Sequence, residues 1–194
     1  MKITEFIKIM WKEEIARRYF VMNSFDGTLT VLGIIIAEFL TGIHDSIIVI
    51  ISCSGAAVAM GISGFWGAYS AEIAERKKAL KELESHMLTD LKNTNIGRSV
   101  ERMSILIAIV DGIAPTLAAI ILIIPFIFSE IAIISINYAF YMSFFLVSVI
   151  LFSVGIFTGY IAEENRLRSG IRMFLAGVLV AIIILMIDGI RNML

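Results

Sequence analysis

The stretch from Ser46 to Tyr69, SIIVIISCSGAAVAMGISGFWGAY, runs for 24 residues without one charged side chain. About 20 predominantly apolar residues carry a helix across the hydrocarbon core of a bilayer. Its apolar residues do not alternate with polar ones, so the two-residue period of a barrel strand is absent. The stretch reads as a membrane-spanning helix. Comparable stretches follow at Phe20–Ile43, Met103–Phe128, Ile131–Ile161 and Leu167–Ile190. The expected fold is an all-α integral membrane protein with five transmembrane helices.

Composition excludes most other classes. Of the 194 residues, 59% are hydrophobic and 17% charged, and the mean hydropathy is +0.92. A soluble domain is nearer half apolar and about a quarter charged, so a soluble enzyme of this size could not bury so much Ile, Leu, Val and Phe. The net charge of −1 lacks the basic surface that nucleic acid requires. Cys53 is the only cysteine and cannot form an intrachain disulfide. No Ser-His-Asp, His-cluster or Cys-His set is present. His44 falls in a short external turn and His86 on a polar helix, so the two cannot meet, and the chain is not expected to be an enzyme.

Basic residues orient the spans. Lys2, Lys8, Lys12, Arg17 and Arg18 precede the first, and Arg76, Lys77, Lys78, Lys81, Lys92, Arg98 and Arg102 lie between the second and third. Arg166, Arg168 and Arg172 flank the start of the fifth, and only Arg191 falls on the other side. The positive-inside rule then gives a cytoplasmic N-terminus and an external C-terminus. Four segments result: residues 1–19, 20–69, 70–102 and 103–194. The first is expected to be an interfacial amphipathic helix, because Ile3, Phe6, Ile7, Met10, Trp11, Ile15 and Tyr19 recur at helical spacing. Lys2, Glu5 and Lys8 interrupt its apolar residues, which excludes a signal peptide. Residues 20–69 hold transmembrane helices one and two, and 103–194 hold three to five. In 70–102, residues 71–91 contain no Gly or Pro and extend helix two into the cytoplasm to about residue 90. Asn93 to Gly97 supply the break.

An ionisable side chain inside a span is costly unless it is paired or hydrated, and so marks a candidate site. Asp26, Asp111 and Asp188 qualify, each followed by glycine. Arg17 and Arg102 stand nine residues before Asp26 and Asp111, a faint sign of a parallel repeat. Asp188 sits near the external end of its helix, where solvation is the simpler account. Helix two is almost without bulk between Ser52 and Ser70. Small residues let helix backbones approach closely, so it is expected to be central and packed on several sides. Met60 lies at a depth similar to Asp26 and Asp111. One thioether and two carboxylates at one depth could coordinate Fe²⁺ or Mn²⁺, or Met60 could simply fill a packing gap. Asp26, Met60 and Asp111 are therefore the candidate ion ligands within the spans. A weaker cytoplasmic metal site is assigned to Glu72, Glu75, Glu82, Glu84, His86 and Met87. Neighbouring Arg76, Lys77, Lys78 and Lys81 could equally neutralise those acids.

Gly55-Ala56-Ala57-Val58-Ala59-Met60-Gly61 followed by Ser70 resembles the second-helix signature of the vacuolar iron transporter family. Asp26-Gly27, Ile123-Ile124-Pro125-Phe126 and Arg168-Ser169-Gly170-Ile171-Arg172-Met173 with Gly177 are similar to further elements of that family, in the same order. The resemblance implies a five-helix homodimer in the lipid bilayer that moves Fe²⁺ or Mn²⁺ out of the cytosol against protons. It implies that the first-helix aspartate and second-helix methionine, here Asp26 and Met60, line the path. The ion is substrate, and no cofactor is expected. The chain departs from the family pattern: Gly64 stands where the family carries a glutamate, for which Asp111 is conjectured to compensate. The second serine of the signature is weakened, and the cytoplasmic segment is shorter than the family's three-helix metal-binding module. A divergent, multi-pass protein of a prokaryotic cell membrane is expected. The alternative is a non-transporting scaffold or metal-sensing protein of the same fold.

Overall fold

A computed structural model describes residues 14–43 and 45–191. The expected interfacial segment lies largely outside the described residues, as does His44. The described residues form five helices and no strand: α1 Glu14–Leu40, α2 Ser46–Met87, α3 Asn95–Glu130, α4 Ile136–Ile161 and α5 Arg166–Arg191. All five are long and apolar enough to span a membrane.

The helix ends follow local chemistry. α1 stops where Gly42 adopts φ +72°, and the Ile43 amide then donates to the Glu38 carbonyl at 3.1 Å. This closure needs a left-handed residue, which glycine supplies without steric cost. Asp45 accepts the Ile47 amide at 2.9 Å and so caps the start of α2. Asn165 does the same for Leu167 and Arg168 at α5, at 3.1 and 3.2 Å. Side chains of this kind satisfy amides that the first helical turn leaves without partners.

α2 runs 42 residues, about 63 Å at the usual rise, and ends at Met87, close to the expected residue 90. The break falls earlier than the Asn93–Gly97 reading. The chain turns over residues 88–94, and Asn95 and Gly97 already belong to α3. Gly97 is needed for close approach: a Cβ there would lie 2.5 Å from the Leu91 carbonyl oxygen. Thr94 Oγ1 accepts the Gly97 amide at 3.4 Å.

The chain divides into two compact units, one built from residues up to Asn23 with Gly61–Ala114, the other from Ser24–Met60 with Pro115 onward. In the second unit, Val31, Ile35, Cys53, Leu122, Phe126, Phe140 and Leu151 form the core. Phe140 meets Phe126 and Phe39 edge-on at 5.0 and 5.3 Å. Lipid tails are as apolar as these side chains, so shape and close contact hold the helices together rather than expulsion of water. Small residues provide that contact between α4 and α5: a Cβ on Gly155 would lie 2.6 Å from the Gly170 Cα. In the first unit, Ala16, Ala68, Leu91, Ile107 and Ala108 are buried, and Phe65, Trp66 and Tyr69 stack along one side of α2.

The expectation that helix two is packed on several sides is corrected. Only 17% of the α2 spanning window is buried, against 61% for α3. Lack of bulk permits close approach but does not enforce it on every side. A Cβ on Gly64 would touch α3, whereas Gly55 and Gly67 have nothing within 4 Å.

Candidate functional site

In the first unit, Asp111 of α3 is 5% exposed. The Asn23 side-chain amide donates to its Oδ1 and also to the Tyr19 carbonyl at 3.0 Å. An ideal Cβ on Gly64 would lie 3.0 Å from Asp111 Oδ2 and 3.1 Å from its carbonyl oxygen. Two turns of backbone meet here, because a Cβ on Gly112 would lie 2.6 Å from the Gly61 carbonyl. The Tyr19 side chain feels the charges of both Asp111 and Glu72. Glu72, also buried, pairs with Arg76 at 3.1 Å. The first unit thus gathers a buried polar cluster from three helices. Its glycines let a carboxylate stand between closely packed backbones.

Asp26, in the second unit, is exposed on α1. Among the described residues it makes no hydrogen bond or ion pair. The glycine after it packs tightly, since a Cβ on Gly27 would lie 2.6 Å from Pro115 Cα. Met60 is half-buried and packs against the apolar core of the second unit. Asp188 pairs with Arg191 at 2.7 Å, in keeping with a solvated helix end. Asp26 and Asp111 share a nine-residue spacing from an arginine but not an environment, one being exposed and the other buried.

The acids of the polar segment are not drawn together. Glu84 Oε1 accepts the Leu91 amide at 2.9 Å, which fastens the turn after α2. His86 Nδ1 lies 2.7 Å from the Glu82 carbonyl, Glu72 is engaged with Arg76, and Met87 is exposed. Among the described residues, no group of three His, Cys, Asp or Glu side chains is placed to hold a metal ion.

Two polar side chains inside spans were passed over by the sequence reading. Asn23 carries no charge and drew no attention beside Asp26. Glu38 lies two residues from the end of α1 and looks like a helix-terminal acid. It is 8% exposed, and among the described residues its Oε2 has no hydrogen-bond partner.

A family model described as the VIT family matches residues 70–187. The chain belongs to the VIT family. It is also 31% identical, over 178 residues and 90% of each chain, to an uncharacterized protein of Methanocaldococcus jannaschii. No solved structure matches it. VIT membership together with five apolar helices makes this a multi-pass membrane protein of a metal-ion transport family rather than of an enzyme family. The matched residues include Asp111 and the polar segment and stop short of Asp26 and Met60. Those two assignments rest on the resemblance and on their own chemistry.

Proposed function

We propose that this VIT-family chain exports Fe²⁺ or Mn²⁺ from the cytosol in exchange for protons, as a homodimer in a prokaryotic cell membrane. The observation that carries the reading is the exposed Asp26 carboxylate on an apolar spanning helix. A lone charge facing lipid is costly, so such a group belongs against water or a second protein surface. The open small-residue side of α2, with nothing within 4 Å of Gly55 or Gly67, is suited to close approach by another copy. Asp26 would bind the ion as a carboxylate and release it on protonation, so that proton and metal compete for one group. Met60 would add a soft thioether ligand, which favours the softer Fe²⁺ over hard ions such as Mg²⁺ and Ca²⁺, whereas the carboxylate suits Mn²⁺ as well.

The scaffold or sensor alternative draws on loss of the family glutamate at Gly64. The Asp111 side chain beside Gly64 weakens that objection, since a carboxyl group stands at that place. The exposed acids of α2 would act as a diffuse attractor of cations at the cytoplasmic mouth. Reconstituted vesicles, assayed for Fe²⁺, Mn²⁺, Zn²⁺ and Ca²⁺ flux with and without a pH gradient, test the reading. Flux of Fe²⁺ or Mn²⁺ enhanced by the gradient is expected. No flux of any ion would leave the non-transporting alternative.

A further inference from the structure

We propose that Glu38, near the end of α1, with Ser52 and Cys53 in the first turns of α2, forms a proton-binding site in the second unit. Glu38 is held in place by its own backbone. Its carbonyl accepts the Ile43 amide and the Thr41 hydroxyl, both at 3.1 Å, within the glycine closure that ends α1. The residue is nonetheless more than nine-tenths buried, and among the described residues Oε2 has no partner. Ser52 is the side chain that engages the carboxyl. It lies six residues into α2, about 9 Å from that helix's start, so the carboxyl is engaged within the span rather than at its rim.

A buried carboxylate without compensation is expensive, and a proton or a cation must neutralise it. The surroundings favour the proton. The Ser52 hydroxyl hydrogen-bonds the Ile48 carbonyl at 2.8 Å and brings no positive charge to the carboxyl. The Cys53 thiol of α2, which is fully buried, lies within electrostatic reach of Glu38. Among the described residues no Lys, Arg, Asp or other Glu acts on it. One carboxyl, one hydroxyl and one thiol also fall short of a divalent-ion cage. The step is a plain exchange: the O–H bond of the acid breaks, the proton passes to water at that face, and the reverse step reloads it. A role in exchange with metal rests on the transport reading, whereas the proton site itself does not.

Infrared difference spectra of the full chain in lipid vesicles, recorded between low and high pH, test the site. The expected result is a protonated-carboxyl C=O band that is absent from Glu38→Gln and retained in Asp26→Asn. No band dependent on Glu38 at any pH overturns the proposal. Glu38→Gln is a near isostere of the acid, so it should fold with an unfolding midpoint at or above that of the wild type. A clearly lowered midpoint would mean that Glu38 is held as a charged group, and would overturn the proposal as well. Mn²⁺ flux in the same vesicles separates the two ideas. Where wild-type flux is accelerated by a pH gradient, Glu38→Gln should bring the ratio of flux with and without the gradient to about one. Absence of wild-type flux would defeat the transport reading and leave the infrared result standing.

Discussion

Asp111 and Gly64 share one volume: a Cβ on Gly64 would lie 3.0 Å from Asp111 Oδ2. A carboxylate from α3 occupies the place where a side chain from α2 would begin. This gives physical form to the conjectured compensation for the missing glutamate. Moving the carboxylate between helices is then a direct experiment. Gly64→Glu alone overfills the contact and sets two acids together, at a cost of about 1–3 kcal/mol from overpacking. Asp111→Ala alone leaves the half-buried Asn23 amide short of an acceptor, at up to about 1–3 kcal/mol. The double variant should recover stability and metal flux relative to either single change. Unfolding in detergent and vesicle flux check this, and strict additivity would show that the two positions are unrelated in function.

Asp26→Asn should abolish flux while leaving the unfolding midpoint unchanged. The side chain is exposed and engages no described residue of its own chain, so only the charge is lost. Flux at the wild-type level would remove Asp26 from the path.

The glycines should divide by what surrounds them. Gly27→Ala drives a methyl to 2.6 Å from Pro115 Cα, a backbone atom that cannot rotate away. Destabilisation of about 1–3 kcal/mol or more is expected. Gly189→Ala enters open space and should be neutral or gain up to about 1 kcal/mol from helix propensity. Comparing the two by thermal unfolding checks whether close packing, rather than glycine itself, is what α1 requires.

A cysteine at Gly55 should cross-link two copies under mild oxidation. The native Cys53 is fully buried and should stay unreactive, so the wild type serves as its own control. Ile183→Cys on the exposed side of α5 should give no cross-link. The reverse pattern on a non-reducing gel would place the contact between copies elsewhere.

Replacing Glu75, Glu82 and Glu84 by glutamine, and leaving the buried Glu72 in place, should weaken apparent affinity for Mn²⁺ more than it lowers maximal flux. Glutamine at position 84 can still accept the Leu91 amide, so the turn should survive. Exposed charges are largely screened at about 0.15 M salt, and the difference from wild type should shrink there. Calorimetry at low and physiological salt distinguishes this from a tight site, whose binding would resist salt.

Five spans, their type and the long polar extension of α2 were legible in the chain because each rests on local properties. Length, unbroken apolarity and absence of Gly and Pro act within one helix and need no knowledge of neighbours. The Asp-Gly pairs were visible too, but not their meaning. Gly27 and Gly112 turn out to be contact points between helices, whereas Gly189 faces open space. Burial of each ionisable group was decided by tertiary structure alone, because it depends on which side of a helix meets another. Asp26 and Asp111 read alike in sequence and diverge in the fold, and Glu38, two residues from the end of α1, is buried. The small residues of α2 announced that close approach was possible. Only the packing showed that Gly64 uses it against α3 while Gly55 leaves it open.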